Sequence, residues 1–148
     1  MKKSLIVAIG AALALAACAT QPSVSPQVSV QQQAKVIAQA CPSLGQTVTE
    51  LQALNMPPSA QSDLAKAKAL GAKVCEAATV VAGAKPGTAN FNLADLRAVY
   101  SQGVPDLISA IKASPLTPQQ QNTAIVSVMA AQIIVQGAIN ATQAAAAP

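Results

Sequence analysis

The chain has 148 residues, nine Lys and Arg against five Asp and Glu, and 52% hydrophobic side chains, which suits one small domain with a targeting segment rather than two domains. It contains no His and no Trp, and its aromatic residues are Phe91 and Tyr100 alone. Histidine acid–base catalysis, His-ligated metal sites, base-stacking platforms and aromatic cages are therefore excluded.

At the N-terminus, Lys2 and Lys3 form a positive region ahead of an apolar run of twelve residues, Leu5 to Ala16, too short to span a bilayer as a mature helix. The run ends in Leu15-Ala16-Ala17-Cys18. This tetrapeptide resembles the lipobox of bacterial lipoproteins, in which an aliphatic residue and two small ones precede a cysteine. The resemblance implies that residues 1–17 are a signal peptide cleaved between Ala17 and Cys18, that the Cys18 thiol carries a diacylglyceryl group, and that the new α-amine is acylated. Each buried CH₂ contributes roughly 0.8 kcal/mol, so two or three acyl chains hold a protein at a membrane without spanning it. Ala19 stands where lipoproteins retained in the inner membrane often carry Asp, and by the same resemblance the destination is the outer membrane, with the domain facing the periplasm. The other reading of this segment is an ordinary secretory signal cleaved after Ala17 or Ala19.

Residues 18–27 hold two prolines and no apolar periodicity, so they are expected to form an extended tether. A helical domain is expected over residues 28–143, and residues 144–148 are expected to be a disordered tail. Val30, Ala34, Ile37, Cys41, Leu44, Val48 and Leu51 recur at spacings of 4, 3, 4, 3, 4 and 3, the seam of an amphipathic helix. Pro42 falls inside this seam and predicts either a kink or two helices meeting at Cys41. Asn55-Met56-Pro57-Pro58 ends the segment, and Ser59 or Ser62 can cap a second helix reaching to about Ala84. Its seam is Leu64, Ala67, Gly71, Val74, Ala78 and Val81.

Lys85-Pro86-Gly87-Thr88 predicts a turn, and Asn92 caps a third helix that Pro105 is expected to bend or break near Gly103. Thr117-Pro118-Gln119-Gln120 has N-cap Thr, Pro in the first turn and Gln at N3, a capping-box arrangement that starts a fourth helix. The apolar stretch Ala124–Ile139 reaches only about 24 Å as a helix, against a hydrocarbon core of roughly 30 Å. Gln132, Gln136 and Asn140 make one narrow polar stripe on it, so it is expected to be the central, buried member of a soluble bundle, with membrane insertion as the alternative. The fold class is thus all-α, a small antiparallel bundle of about four helices.

Once Lys2 and Lys3 leave with the signal peptide, seven basic side chains remain against five acidic ones. They are scattered apart from Lys66, Lys68 and Lys73, which fit a solvated helix face rather than a nucleic-acid footprint. With Cys18 assigned to lipid, Cys41 and Cys75 remain as a pair in an oxidising compartment, where a structural disulfide is expected. Antiparallel packing of the first two helices brings both residues to disulfide distance. A metal site would lack further ligands, and a catalytic thiol would lack a histidine base.

Ser109-Ala110-Ile111-Lys112 matches a Ser-x-x-Lys pattern without the other elements such enzymes need, and Glu50, Asp63, Glu76, Asp95 and Asp106 fall on separate segments. No phosphate-binding glycine loop or Cys-x-x-Cys motif occurs. Neither catalytic residues, metal nor cofactor is expected. The expected role is that of a non-enzymatic cell-envelope lipoprotein with a structural or protein-interaction function, its partner an envelope protein or peptidoglycan. Short lipoproteins carried by bacteriophages, which act in exclusion or lysis, are similar in kind. The alternative is a carrier of an apolar ligand, which requires an apolar groove between the helices beginning near Ser59 and Thr117.

Overall fold

Five helices and one π-helical turn account for most of the residues that the computed structural model describes, 25–147. The signal peptide expected over residues 1–17, the cleavage and lipid attachment expected at Ala17–Cys18, and the expected tether as far as Val24 lie outside the described residues. In chain order the elements are α1 (Pro26–Gln52), α2 (Pro58–Gly83), α3 (Leu93–Ala98), the π-helical turn Val99–Gly103, α4 (Val104–Lys112) and α5 (Pro118–Ala146). The fold is all-α, and no strand occurs among the described residues.

Proline opens α1, α2 and α5, because a first-turn residue needs no N–H and the ring holds φ near its helical value. α1 consequently begins two residues earlier than the apolar pattern predicts, with Ser29 N donating to Ser25 O at 3.0 Å. α2 begins at Pro58 with Pro57 in the cap position, so neither Ser59 nor Ser62 caps it.

The two internal prolines have different outcomes. α1 runs through Pro42 as one helix. An internal proline costs about 3 kcal/mol, and here it is offset by a continuous seam, with Ile37 and Ala40 buried before it and Val48 and Leu51 after it. Pro105 instead follows the π-helical turn, whose wider hydrogen-bond pattern accommodates the ring at the start of α4.

Capping follows the sequence at α3 and α5. Asn92 Oδ1 accepts from Ala94 N at 2.9 Å, while Phe91 before the cap and Leu96 inside α3 are buried in one cluster as a hydrophobic staple. Thr117 N donates to Gln120 Oε1 at 3.0 Å, and Gln120 N donates to Thr117 Oγ1 at 3.4 Å, completing the capping box. Gly87 adopts φ +82° in the Lys85–Thr88 turn, a left-handed value suited to glycine, and Thr88 N donates to Lys85 O at 3.0 Å.

α3, the π-helical turn and α4 form one rod, so four antiparallel rods enclose the core. α1 packs on α2 and α5, and the α3–α4 rod packs on the same two helices, leaving α2 and α5 on a diagonal. Every rod occupies a corner. α5 is therefore not the central buried helix its composition suggests: only 28% of its most apolar window is buried, and Val126 and Ile133 are 66% and 70% exposed. Four rods leave no interior place for a whole helix. The expected tail at 144–148 is also shorter, since α5 continues through Ala146, where alanine has the best helix propensity and Ala145 packs on the core.

The core consists of two clusters stacked along the bundle axis. One joins Val30, Ala34 and Ile37 with Val74, Val81, Phe91, Leu96, Val135 and Ile139; the other joins Val48, Leu51 and Met56 with Leu64, Leu107, Ile111 and Val128. Gln31 Nε2 donates to the Ala84 carbonyl at the end of α2, tying that terminus to α1. Thr142 Oγ1 is buried and has no hydrogen-bond partner among the described residues. Thr142→Val keeps the shape and removes this desolvated hydroxyl, and is expected to raise unfolding free energy by about 1 kcal/mol in urea titration.

Candidate functional site

Between the two core clusters many of the side chains facing the bundle axis are small, although Leu44, Val99 and Ile134 also line it. α1 contributes Cys41 and Gly45, α2 contributes Ala67, Gly71 and Cys75, the π-helical turn contributes Gly103, and α5 contributes Ala131. Helices packed around such residues cannot fill the axis unless their backbones collapse together, and the larger side chains of the two flanking clusters hold them apart. The result is a cavity of about 330 Å³, bounded at one end by Ile37, Val74 and Val135 and at the other by Val48, Leu107 and Val128.

The disulfide stands in the wall of this cavity. Cys41 and Cys75 are bonded, with Cα atoms 5.9 Å apart, as the antiparallel phases of α1 and α2 require. One helical turn away, Gly45 and Gly71 leave a slot: a Cβ built at either position meets no other atom within 4 Å. Gly45, Lys68 and Ala72 are exposed at this slot, which is the mouth of the cavity. Lys68 is the one charged side chain of the lining among the described residues, and its Nζ donates to Gln52 Oε1 at 3.0 Å.

The cavity runs along the axis between the diagonal helices α2 and α5, where the apolar-groove reading requires space, but it opens between α1 and α2. The seam positions Ala67, Gly71 and Gly103 line it. Gly45, Lys68 and Val99 line it too, without a signal of their own, because they flank the seams and reach the axis only where neighbouring side chains are short.

Elsewhere the residues with chemical potential stay apart. Ser109 and Lys112 are exposed on α4. Asp63 pairs with Lys66 on the same helix at 3.5 Å. Among the described residues no three His, Cys, Asp or Glu side chains are grouped to hold a metal ion. On the outer face of α5, Gln132, Gln136 and Asn140 line a shallow depression with Tyr100, Met129 and Ile133, and Gln136 Nε2 donates to Asn140 Oδ1 at 2.9 Å. The polar stripe expected from the sequence thus lies on the outer side of α5, next to an exposed apolar row rather than alone on a buried helix.

No protein-family model matches the chain, and neither a curated protein nor a solved structure matches it significantly.

The crosslink closes a loop between positions 34 residues apart. Reduction, or the Cys41→Ser/Cys75→Ser pair, is expected to lower unfolding free energy by about 4 kcal/mol on the chain-entropy account, read as a drop in melting temperature with and without reductant.

Proposed function

We propose that the chain is a non-enzymatic cell-envelope lipoprotein, held in the outer membrane by acyl chains on Cys18, whose periplasmic helical domain binds an apolar ligand in the waist cavity. The observation that carries the binding role is the cavity: about 330 Å³ lined by aliphatic side chains and a disulfide, with one charged residue at the mouth. Small-molecule sites usually occupy about 300–1,000 Å³, are predominantly apolar, and in bundles lie between the helices. A cavity of this size without an occupant forfeits the dispersion contacts of everything that lines it, so an apolar guest gains both its own dehydration and those contacts. The anchor rests on Leu15-Ala16-Ala17-Cys18 and keeps such a module beside a source of apolar molecules.

The exposed row Val126, Met129 and Ile133 on α5 supports a second reading, a structural role against an envelope protein or peptidoglycan. Under that reading, crosslinking in intact cells captures a defined larger species that Ile133→Lys abolishes.

Expression of the full chain in a Gram-negative host is expected to give an outer-membrane protein whose mass begins at Cys18, carries acyl chains and lacks two protons for the disulfide. Cys18→Ser is expected to abolish acylation. A soluble, unacylated wild-type protein would overturn the anchor. For the cavity, the neutral probe decanol is expected to raise the melting temperature and shift the methyl resonances of Ile37 and Ile134; unchanged resonances at saturating probe would remove the binding role.

A further inference from the structure

We infer that the waist cavity takes a single-chain amphiphile with an anionic head, namely a fatty-acid carboxylate, with its alkyl chain along the bundle axis and its head at Lys68. This rests on the apolar-ligand reading above and assigns that ligand its chemistry.

The lining selects against other classes. Among the described residues it contains no aromatic ring to stack on a planar ligand and no hydroxyl or amide side chain to meet a polar one. Apart from the hydrogen bonds interrupted at Pro42 and Pro105, the helical backbone around it has its N–H and C=O groups committed to helix hydrogen bonds, so most of the wall offers a polar group no partner. An alkyl chain makes no such demand. The volume lies near the lower end of the usual ligand range, which suits one chain rather than the paired tails of a diacyl lipid. The mouth adds a steric filter, because the Gly45–Gly71 slot is bordered by the Cys41–Cys75 crosslink, which pins the two helices one turn away.

Charge then orients the guest. Among the described residues no carboxylate lines the cavity or its mouth, and the hydrogen-bond partner of Lys68 is the neutral Gln52, so the ammonium has no acidic partner at the rim. Lys66 on the same helix is paired with Asp63 instead. A carboxylate head placed at the slot meets a cation with no acidic partner and stays hydrated, while its tail enters the apolar interior. A cationic head at the same place is repelled.

The test uses the acylated full chain in phospholipid nanodiscs, with empty discs as the partition blank. Decanoate, decanol and decyltrimethylammonium are titrated while the methyl resonances of Ile37 and Ile134 are followed. Decanoate is expected to bind about three- to fivefold more tightly than decanol, the range for a partly exposed ion pair, and decyltrimethylammonium more weakly than either. Lys68→Gln, a change at an exposed position, brings decanoate to the level of decanol, and Lys68→Arg restores the preference. Gly71→Leu fills the slot and is expected to abolish decanoate binding while the melting temperature stays at or above that of the wild type, because a helix-interior glycine is removed. Equal binding of all three compounds overturns the anionic-head assignment and leaves the apolar cavity standing. Retained decanoate binding in folded Gly71→Leu overturns the proposed route and site. No response to any of the three overturns the ligand-binding reading as well.

Discussion

The structure depends on a constraint at its waist, where α1 and α2 are joined covalently at a level at which their side chains are too small to hold them by packing. Elsewhere the rods are kept together by ordinary burial: Val30, Ala34 and Leu96 in one cluster, Leu64 and Ile111 in the other, all essentially without solvent contact. At the waist, Gly45, Gly71 and Gly103 provide almost no apolar area, so contact there contributes little. The Cys41–Cys75 bond supplies by covalent linkage what burial does not, chiefly by restricting the unfolded chain. A bundle built this way can keep an interior space that packing alone would close or fill.

Proline governs how the rods are divided and turned. At Pro26, Pro58 and Pro118 it opens a helix at no hydrogen-bonding cost. Pro42 is carried through by the seam on both sides of it, and Pro105 is preceded by a π-helical turn. That turn has a consequence for the site. It places Val99 and Gly103 in the cavity wall, so the irregularity forced by one proline coincides with the layer where the core is thin.

A cavity lined by aliphatic groups, a slot bordered by a crosslink, and a cation at the rim form one arrangement. In the proposed binding role the lining would set polarity, the slot cross-section, and Lys68 orientation. The outer face of α5 is separate from it. Its exposed Val126, Met129 and Ile133 point away from the axis and bear on what lies beside the protein rather than inside it.

The sequence by itself determined the helices and the caps of α3 and α5, because these follow from short-range spacing, while the cysteine pairing followed from assigning Cys18 to lipid. The 3–4 periodicity of Val30 to Leu51 marks one face, Thr117 and Gln120 close a capping box within a single turn, and Cys41 lies in the seam of α1 with Cys75 beside that of α2. Where the chain leaves one helical turn, the reading becomes ambiguous. The composition of α5 fits a buried central helix as well as the corner position it occupies, since periodicity does not count how many neighbours surround a helix. Likewise, small residues at Ala67, Gly71 and Gly103 are equally consistent with close packing and with a void. Only the tertiary structure decided between them, because the separation of the rods at that level is set by larger side chains several turns above and below it. The cavity, its mouth at Lys68 and the outward face of α5 are properties of four rods together, carried by no single segment of the chain.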